Sequence, residues 1–449
     1  MSTISTPRPP ASPAVPPAAS PAVPPAVPPA VPPAVPPAVP PAPPAPPTPE
    51  TPAPEAGAVP TRSRRTVLLG GGAGLLVLAA GGTLWRAADQ GVFATGEGPA
   101  YAAWGDGAGT PGGGTLNLVR AAILAANAHD SQPWLFRVTP TGITLHADLR
   151  RNLGAIDPLL REMYLSLGCA LENLTLAAAP HGYVHGLTLL PNPRDPTHVA
   201  TLTLHRGAAP VSPLYAAIPR RHTNRGAYDT ARPLSAALRA RLQALNTVAD
   251  IGIVWYTSST AKQAFSALTM RATAAFIADR PQSVDDFGWW RGDWQDLQRR
   301  KDGVTIDTAG LSAPTRVLGK MLPPESRASN DQAWLTSTRD PQLTTAAAFG
   351  VIVARNPRDN RQRLDAGRLW QRMHLWATTQ GLAMQPLNQT VERAEREQAA
   401  GLTREIATGL SALMPEGGWR PLMPFRIGYP TTEGFKSPRR PATDVTTMV

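Results

Sequence analysis

The chain has 449 residues, a formal net charge of +11 and one cysteine. A single cysteine, Cys169, excludes an intrachain disulfide and a cysteine-rich metal site. The arginines are scattered and form no basic stripe interleaved with aromatic residues, so we predict no nucleic-acid partner. Because Cys169 lies in an apolar, helix-like run, we interpret it as a small buried hydrophobic residue.

Residues 1–60 contain 25 of the 51 prolines and repeat a Pro-Pro-Ala-Val pattern. A segment with so little apolar bulk cannot form a core, so we predict a disordered, polyproline-like arm. The alternative is a docking peptide for a proline-binding module. We favour a spacer because no basic or aromatic specificity residues flank the repeat.

Residues 61–99 begin with a basic cluster that precedes an uncharged Gly/Ala/Leu/Val run, which ends near Leu84. This order predicts an export signal or membrane anchor plus a linker, and thus a location across the cytoplasmic membrane. The stretch Ser63-Arg64-Arg65-Thr66-Val67-Leu68-Leu69 resembles a twin-arginine signal. An ordinary membrane span is the alternative. Cleavage and a retained membrane tether through residues 66–84 both remain open.

Residues 100–210 are predicted to form a first α+β module. A helix over residues 116–124 leads into a polar joint at residues 125–136, a common place for a ligand. Further along, the patterns predict a hairpin around Thr139–Gly142, a helix over residues 157–180 and a strand over residues 198–205.

Residues 211–449 are predicted to form a second module. Its expected elements are helices over 235–245, 261–277 and 364–380 and strands over 251–256, 349–354 and 424–429. Residues 279–340 read as a long, irregular, Trp-rich insertion. Two interpretations of that insertion remain open, a lid over a site and a surface elaboration. The helices near residues 164–180 and 368–380 both end at a glycine and precede an apolar strand, which suggests a degenerate internal repeat.

Two basic segments are candidates for binding an anion. Arg221-His222-Thr223-Asn224-Arg225 places two guanidinium groups, an imidazole and a hydroxyl within five residues, and Arg439-Arg440 forms a second cationic pair. Arginine's rigid fork suits phosphate oxygens. Either segment alone is more often a solvated surface.

These segments together resemble the FMN-dependent nitroreductases. Asp130-Ser131-Gln132-Pro133-Trp134 is similar to the flavin-contacting loop of that family. Arg221-His222-Thr223-x-Arg225 and Arg439-Arg440 resemble its two phosphate-binding elements. Gly381–Gln389 resembles the loop after which a backbone amide points at flavin N5. The cofactor-binding residues that the resemblance implies are Asn127, Asp130, Gln132, Arg221, His222, Thr223, Arg225, Asn388, Gln389, Arg439 and Arg440.

The resemblance also implies an architecture. We expect an α+β, nitroreductase-like fold of two fused modules, each with a sheet flanked by helices, equivalent to a single-chain version of the family dimer. The flavin loop lies in the first module and the arginine-rich element in the second. Such complementary halves are similar to the Acg-like, two-module branch and imply one FMN per chain, an arrangement compatible with a monomer.

The implied function is that of an FMN-dependent oxidoreductase that reduces flat acceptors such as nitroaromatics or quinones, with NAD(P)H or another donor. No side chain is expected to act as a catalytic nucleophile, and no metal-binding motif is present. The alternatives are a protein that binds and stores FMN without turnover and a tethered interaction module. Asp130 departs from the family, which has asparagine there, and we expect it to pair with an arginine instead.

Overall fold

The computed structural model describes residues 83–105 and 114–449. The predicted proline-rich arm and the twin-arginine stretch lie outside these described residues. Within the two described ranges, no helix has both the length and the apolar character needed to cross a membrane.

The strands of the described chain form two main sheets and one two-stranded ribbon. In chain order the strands are Trp134–Thr139 (β1), Gly142–Ala147 (β2), Tyr183–Leu189 (β3), His198–Arg206 (β4), Ile251–Tyr256 (β5), Trp290–Arg291 (β6), Val304–Thr305 (β7), Ala348–Ala354 (β8), Ala383–Pro386 (β9), Arg420–Gly428 (β10) and Thr446–Met448 (β11). The first sheet has the order β11-β1-β2-β4-β3 and the second has the order β5-β8-β10-β9.

The helices flank these sheets and fill the long connections. In chain order they are Ala102–Gly105 (α1), Leu116–Ala122 (α2), Arg161–Ala178 (α3), Ala236–Gln243 (α4), Ser259–Ala278 (α5), Arg280–Phe287 (α6), Trp294–Arg300 (α7), Ala313–Met321 (α8), Arg327–Ser337 (α9), Asn360–Thr379 (α10), Gln389–Ala399 (α11) and Glu405–Ala412 (α12). The predicted α+β class, with a helix-flanked sheet in each half of the described chain, is confirmed.

The two sheets repeat one arrangement. The order β1-β2-β4-β3 in the first sheet matches β5-β8-β10-β9 in the second, and every neighbouring pair in both runs is antiparallel. In each half a long helix, α3 or α10, is followed by a left-handed glycine, Gly182 with φ 77° or Gly381 with φ 67°. Glycine adopts that conformation without a steric penalty and so ends the helix. The predicted internal repeat is visible in this matched order.

The long helices α3 and α10 cross where both carry a glycine. A Cβ atom on Gly168 would overlap the carbonyl oxygen of Leu364, and one on Gly367 would overlap that of Leu165. The sulfur of Cys169 donates to the carbonyl oxygen of Gly367 at 3.2 Å. The two backbones approach so closely only because neither glycine has a side chain, so the crossing depends on both residues.

The last strand joins the second half of the described chain to the sheet of the first. β11 pairs in parallel with β1, with Phe136 opposite Thr446 and Val138 opposite Met448. This strand was not predicted, because a segment of three residues becomes a strand only when a partner edge supplies its hydrogen bonds. The C-terminal segment of the second half thereby completes the sheet of the first.

The insertion at residues 279–340 is not irregular, so that prediction was wrong. It contains four helices, α6 to α9, and the paired strands β6 and β7. A side-chain oxygen at each helix start accepts a backbone N–H of the first turn, which satisfies groups that a short helix would otherwise leave unpaired. These capping residues are Asp279, Asp293, Ser312 and Ser326.

One hydrophobic cluster spans both halves. It includes Phe136 from the first sheet, Leu167 from α3, Trp370 from α10 and Phe425 from the second sheet. All four are at most 1% exposed. Because these elements bury their apolar faces against each other, the site described next rests on a single packed core.

Candidate functional site

A cavity of about 240 Å³ lies where the predicted flavin loop, α3, the start of α11 and the insertion meet. Its walls are largely apolar, with a few polar groups, as in most small-molecule sites. The lining residues include Ala126, Asn127, Leu165, Cys169, Thr223, Trp290, Leu311, Trp334, Trp370, Leu387, Asn388 and Gln389. Trp290, Leu311 and Trp334 belong to the insertion, so the predicted lid region does contribute to the cavity.

A second, polar cavity of about 40 Å³ shares five lining residues with the first. Three guanidinium groups surround it, those of Arg221, Arg225 and Arg439. Arg221 and Arg439 are each only 2% exposed, and the Nε of each lacks a hydrogen-bond partner among the described residues. Burial, followed by the nearby Arg439, lowers the pKa of Arg221 to about 9. Buried cations with free donors favour an anion at this position.

Asp130 also lines the polar cavity. Its Oδ1 accepts a hydrogen bond from Arg439, so the predicted pairing with an arginine is present. Its Oδ2 is buried and without a partner among the described residues. Burial raises the pKa of Asp130 to about 6, although Arg439 and a hydrogen bond from Asn127 oppose the shift. Asp130 therefore changes charge near neutral pH inside an arginine-rich cavity.

The loop that carries Asp130 has an unusual backbone. His129, Asp130 and Gln132 have φ values of 51°, 52° and 51°. A non-glycine residue in this region costs on the order of 1 kcal/mol or more and persists only when its surroundings hold it. Asn127 does so by accepting from the N–H of Gln132 at 2.8 Å and donating to Asp130 at 3.2 Å. Asn127 also lines both cavities, so it orders the loop and faces the site.

Three of the predicted cofactor residues line neither cavity. Gln132 donates to the carbonyl oxygen of Lys301 at 2.9 Å and accepts from the N–H of Arg440 at 2.8 Å. The guanidinium of Arg440 donates to the carbonyl oxygen of Gln132 at 2.6 Å. His222 packs edge-on against Trp104, with ring centroids 4.8 Å apart. Burial, then the charges of Arg221 and Arg439, lowers the pKa of His222 to about 3. These residues support the walls of the site.

The start of α11 faces the larger cavity. Asn388 is the residue before the helix and Gln389 is its first residue, and both line the cavity. First-turn N–H groups have no acceptor within their own helix, so this end can donate to a bound molecule. The side chain of Gln389 is buried and points instead to Thr273, at 3.4 Å.

Two glutamates that the sequence analysis missed also line the cavity. Glu162 belongs to α3 and Glu392 to α11, and they are 2% and 5% exposed. Glu162 pairs with Arg161 at 3.0 Å, and Arg161 pairs with Glu395 at 2.9 Å. Burial, then the charge of Glu162, raises the pKa of Glu392 well above its ordinary value. The cavity wall thus contains a carboxyl group that binds its proton more tightly than a free glutamate does.

The insertion is tied to the flavin loop by an ion pair. His129 Nε2 lies 2.8 Å from a carboxylate oxygen of Asp286, and both residues line the larger cavity. Burial disfavours the charged imidazole, but the hydrogen bond and charge of Asp286 outweigh that effect and raise the pKa of His129. Among the described residues no cluster of three or more His, Cys, Asp or Glu residues could hold a metal ion.

Comparisons with known proteins point to one group of enzymes. No family model matches the chain. A Mycobacterium tuberculosis protein named "putative NAD(P)H nitroreductase" is 27% identical over 312 residues, which cover 68% of this chain and 85% of the relative. A second protein of that organism, named "putative NAD(P)H nitroreductase acg", is 34% identical over 86 residues, which cover 19% of this chain and 26% of the relative.

Solved structures give more distant likenesses. A nitroreductase with bound FMN from Bacteroides fragilis is 13% identical, with a TM-score of 0.32, and the match covers 53% of this chain and 99% of that one. The nitroreductase NfnB of Mycobacterium smegmatis, solved with NADPH, is 16% identical, with a TM-score of 0.31 and the same coverage. The chain is thus similar in sequence to proteins named as nitroreductases over most of its described length.

Proposed function

We propose that the protein is an FMN-dependent oxidoreductase of the nitroreductase type. The observation that carries this proposal is the joined pair of cavities, one largely apolar and one enclosed by Arg221, Arg225 and Arg439. A flat ring with a phosphate on a flexible chain has this division of polarity. The sequence similarity to proteins named NAD(P)H nitroreductase supports the reaction type and NAD(P)H as the electron donor.

The residues present fit the FMN phosphate. Three guanidinium groups and one aspartate line the polar cavity, which leaves an excess of positive charge beside the unpaired Nε atoms of Arg221 and Arg439. Thr223 and Ser437 add hydroxyl groups to the same walls. These groups would hold the phosphate. Because Asn127 lines both cavities, its side chain would contact the flexible part of FMN that links the phosphate to the ring.

FMN held by these residues would supply electron transfer between NAD(P)H and a flat acceptor, such as a nitroaromatic or a quinone. The chain's own groups would hold the reactants and supply protons. The start of α11 offers N–H donors, and Glu392 places a carboxyl group of raised pKa in the cavity wall. Trp290 and Trp334 offer flat apolar surfaces for an aromatic acceptor.

The deciding experiment is a spectrum and mass measurement of the cofactor released from purified full-length protein. We expect FMN, at one molecule per chain, either as isolated or after reconstitution. A protein that shows no flavin absorbance even after incubation with FMN would contradict the proposal.

A second measurement separates turnover from storage. NADH or NADPH is added to the loaded protein, and a nitroaromatic compound follows. Bleaching of the flavin band and its recovery support an oxidoreductase. If the bound FMN stays oxidised at saturating NADH and NADPH, the result would instead support a storage protein. The ion pair that ties the insertion to the flavin loop favours this alternative.

A further inference from the structure

Exposed apolar side chains are concentrated on two neighbouring segments. The first is residues 84–93, where Leu84, Trp85 and Phe93 are 64%, 68% and 72% exposed. The second is α8 with the residue that follows it, where Val317, Leu318 and Leu322 are 45%, 59% and 53% exposed. We call these six residues the apolar face.

Hydrogen bonds join the two segments. Arg86 donates to the carbonyl oxygen of Leu322 at 3.2 Å. Lys320 donates to the carbonyl oxygen of Gly91 at 3.1 Å and to the hydroxyl of Thr95 at 3.3 Å. Lys320 itself is 7% exposed and pairs with Asp307 at 2.7 Å, so the one lysine of α8 points inward while the helix's apolar residues point outward. The two segments that carry the apolar face are therefore held against each other.

The apolar face begins where an uncharged part of the sequence ends. No charged residue occurs between Arg65 and Arg86, a separation of 20 residues. About 20 uncharged, predominantly apolar residues are the length needed to cross a bilayer. Trp85 and Arg86 would then lie at the membrane–water boundary, where tryptophan and arginine are commonly found. The occupant that suits this face is therefore the bilayer surface to which the same chain leads.

The apolar face also adjoins the candidate site. Leu311 and Glu325, which flank α8 on either side in sequence, both line the larger cavity. The segment that carries half of the apolar face is therefore flanked in sequence by residues of the cavity wall.

We propose that the apolar face rests on the membrane and that the cavity exchanges electrons with a quinone dissolved in the bilayer. This inference rests on the proposed function for its second part only. The quinone takes up two electrons and two protons and leaves as the quinol. The two electrons derive from the nicotinamide donor by way of bound FMN, and the protons come from the donor and from water.

The membrane contact is tested first, with the full-length chain and without any measurement of activity. Val317→Cys and Val184→Cys are labelled separately with an environment-sensitive fluorophore, and each protein is added to phosphatidylcholine/phosphatidylglycerol vesicles that contain brominated lipid. The two positions are matched in exposure, at 45% and 44%, and the native Cys169 is buried. We expect the lipid to quench the probe at position 317 and to leave the probe at position 184 unchanged.

Two results would overturn the membrane contact. Equal quenching by brominated lipid at both positions of vesicle-bound protein would show that the apolar face does not contact the lipid specifically. Quenching that requires no lipid but rises with protein concentration would show that a second copy of the chain covers the face.

The quinone is tested with Leu318→Glu, because Leu318 does not line the cavity. Transfer of one leucine side chain into an apolar phase is favourable in free energy. Replacing Leu318 with glutamate should therefore lower turnover of a long-chain quinone in vesicles roughly tenfold. Turnover of a short-chain, water-soluble quinone should not change, and Val184→Glu should affect neither. Equal loss with both quinones would refute the proposal. A wild-type protein that binds FMN but reduces neither quinone would instead refute the proposed function, while the fluorescence result would still decide the membrane contact.

Discussion

The two halves of the described chain share a scaffold and differ in the segments inserted into it. In the first sheet, residues 140–141 join β1 to β2 and residues 190–197 join β3 to β4. The matching connections in the second sheet are residues 257–347 and 387–419, which carry the insertion and α11. Those two connections supply much of the cavity wall. The scaffold occurs twice and the walls once, so we expect one cofactor per chain.

The largest expected effect on folding stability comes from breaking the contact that relates the halves. Gly168→Ala should destabilise the protein by roughly 1–3 kcal/mol or more, because the new Cβ would overlap the backbone of Leu364. The loss should occur even though alanine favours a helix over glycine by about 1 kcal/mol. Denaturant unfolding followed by circular dichroism measures the change.

The control for this substitution is Gly105→Ala, where a Cβ would meet no atom of the described residues within 4 Å. We expect that variant to unfold within about 0.5 kcal/mol of the wild type, as surface substitutions usually do. Equal midpoints for the two variants would mean that α3 and α10 do not approach as closely as described.

The next effect is on FMN binding and concerns the arginines that line the polar cavity, which all come from the second half. Arg221→Gln should weaken FMN binding roughly a hundredfold, because truncating a buried partner of a charged group costs about 2–5 kcal/mol. Arg440→Gln is the matched comparison, since Arg440 lines neither cavity. Quenching of flavin fluorescence on titration measures both dissociation constants.

For Arg440→Gln we expect a change below about threefold, as for partly exposed ionic groups. If the Arg440 variant lost FMN as severely as the Arg221 variant, the phosphate would lie on the other side of the flavin loop, and the polar cavity would need another explanation.

Asp130 should make cofactor binding depend on pH. With its pKa raised to about 6, the carboxyl group is neutral at pH 5 and ionised at pH 8, where it would repel a phosphate in the same cavity. We expect the affinity for FMN to fall as pH rises through about 6. Asp130→Asn should remove that component and bind FMN several-fold more tightly at high pH.

The same shift predicts a change in stability of the cofactor-free protein. A carboxyl group with a raised pKa stabilises the folded state below the ordinary pKa of 3.8, and that contribution is lost as pH rises towards about 6. The stability difference between the wild type and Asp130→Asn should therefore vary over this window and be constant above it. A difference that does not change with pH would show that folding does not raise the pKa of Asp130.

Regular elements of the scaffold were predictable, because local patterns specify them. The strand Ile251–Tyr256 is confirmed to the residue, and the helix at Arg161–Ala178 lies within its predicted range. The helices of the insertion were not predicted because they are short and mix aromatic with charged residues, which obscures the helical period. The capping residues Asp293, Ser312 and Ser326 were a readable signal for three of those helices.

The candidate site was predictable only in part. Asn127, Arg221 and Arg225 were found because each belongs to a short motif, and the structure brings them to adjoining cavities. Glu162 and Glu392 were missed because they are more than two hundred residues apart and become neighbours only when α3 and α11 pack. A charged pair, Arg161-Glu162, at the start of a long apolar helix was the one available signal.

The smallest expected effect tests how the insertion of the second half is held to the loop of the first. Asp286→Asn removes the charged partner of His129, so the imidazole loses the interaction that raises its pKa, and burial then disfavours its charged form. The pair is partly exposed, at 15% and 21%, so we expect a loss of roughly 0.5–1 kcal/mol and FMN release that is two- to fivefold faster. Stopped-flow recovery of flavin fluorescence measures the release rate.

Asp340→Asn removes a more exposed pair with Arg339, at 62% and 55%, and should leave the rate unchanged. Release that quickens equally in both variants would mean that general loosening of the insertion, and not the His129–Asp286 contact, sets the rate. Because the ordinary pKa of histidine lies near 6.5, the effect of Asp286→Asn should also fade as pH rises through the raised pKa of His129, where the wild-type imidazole loses its own charge.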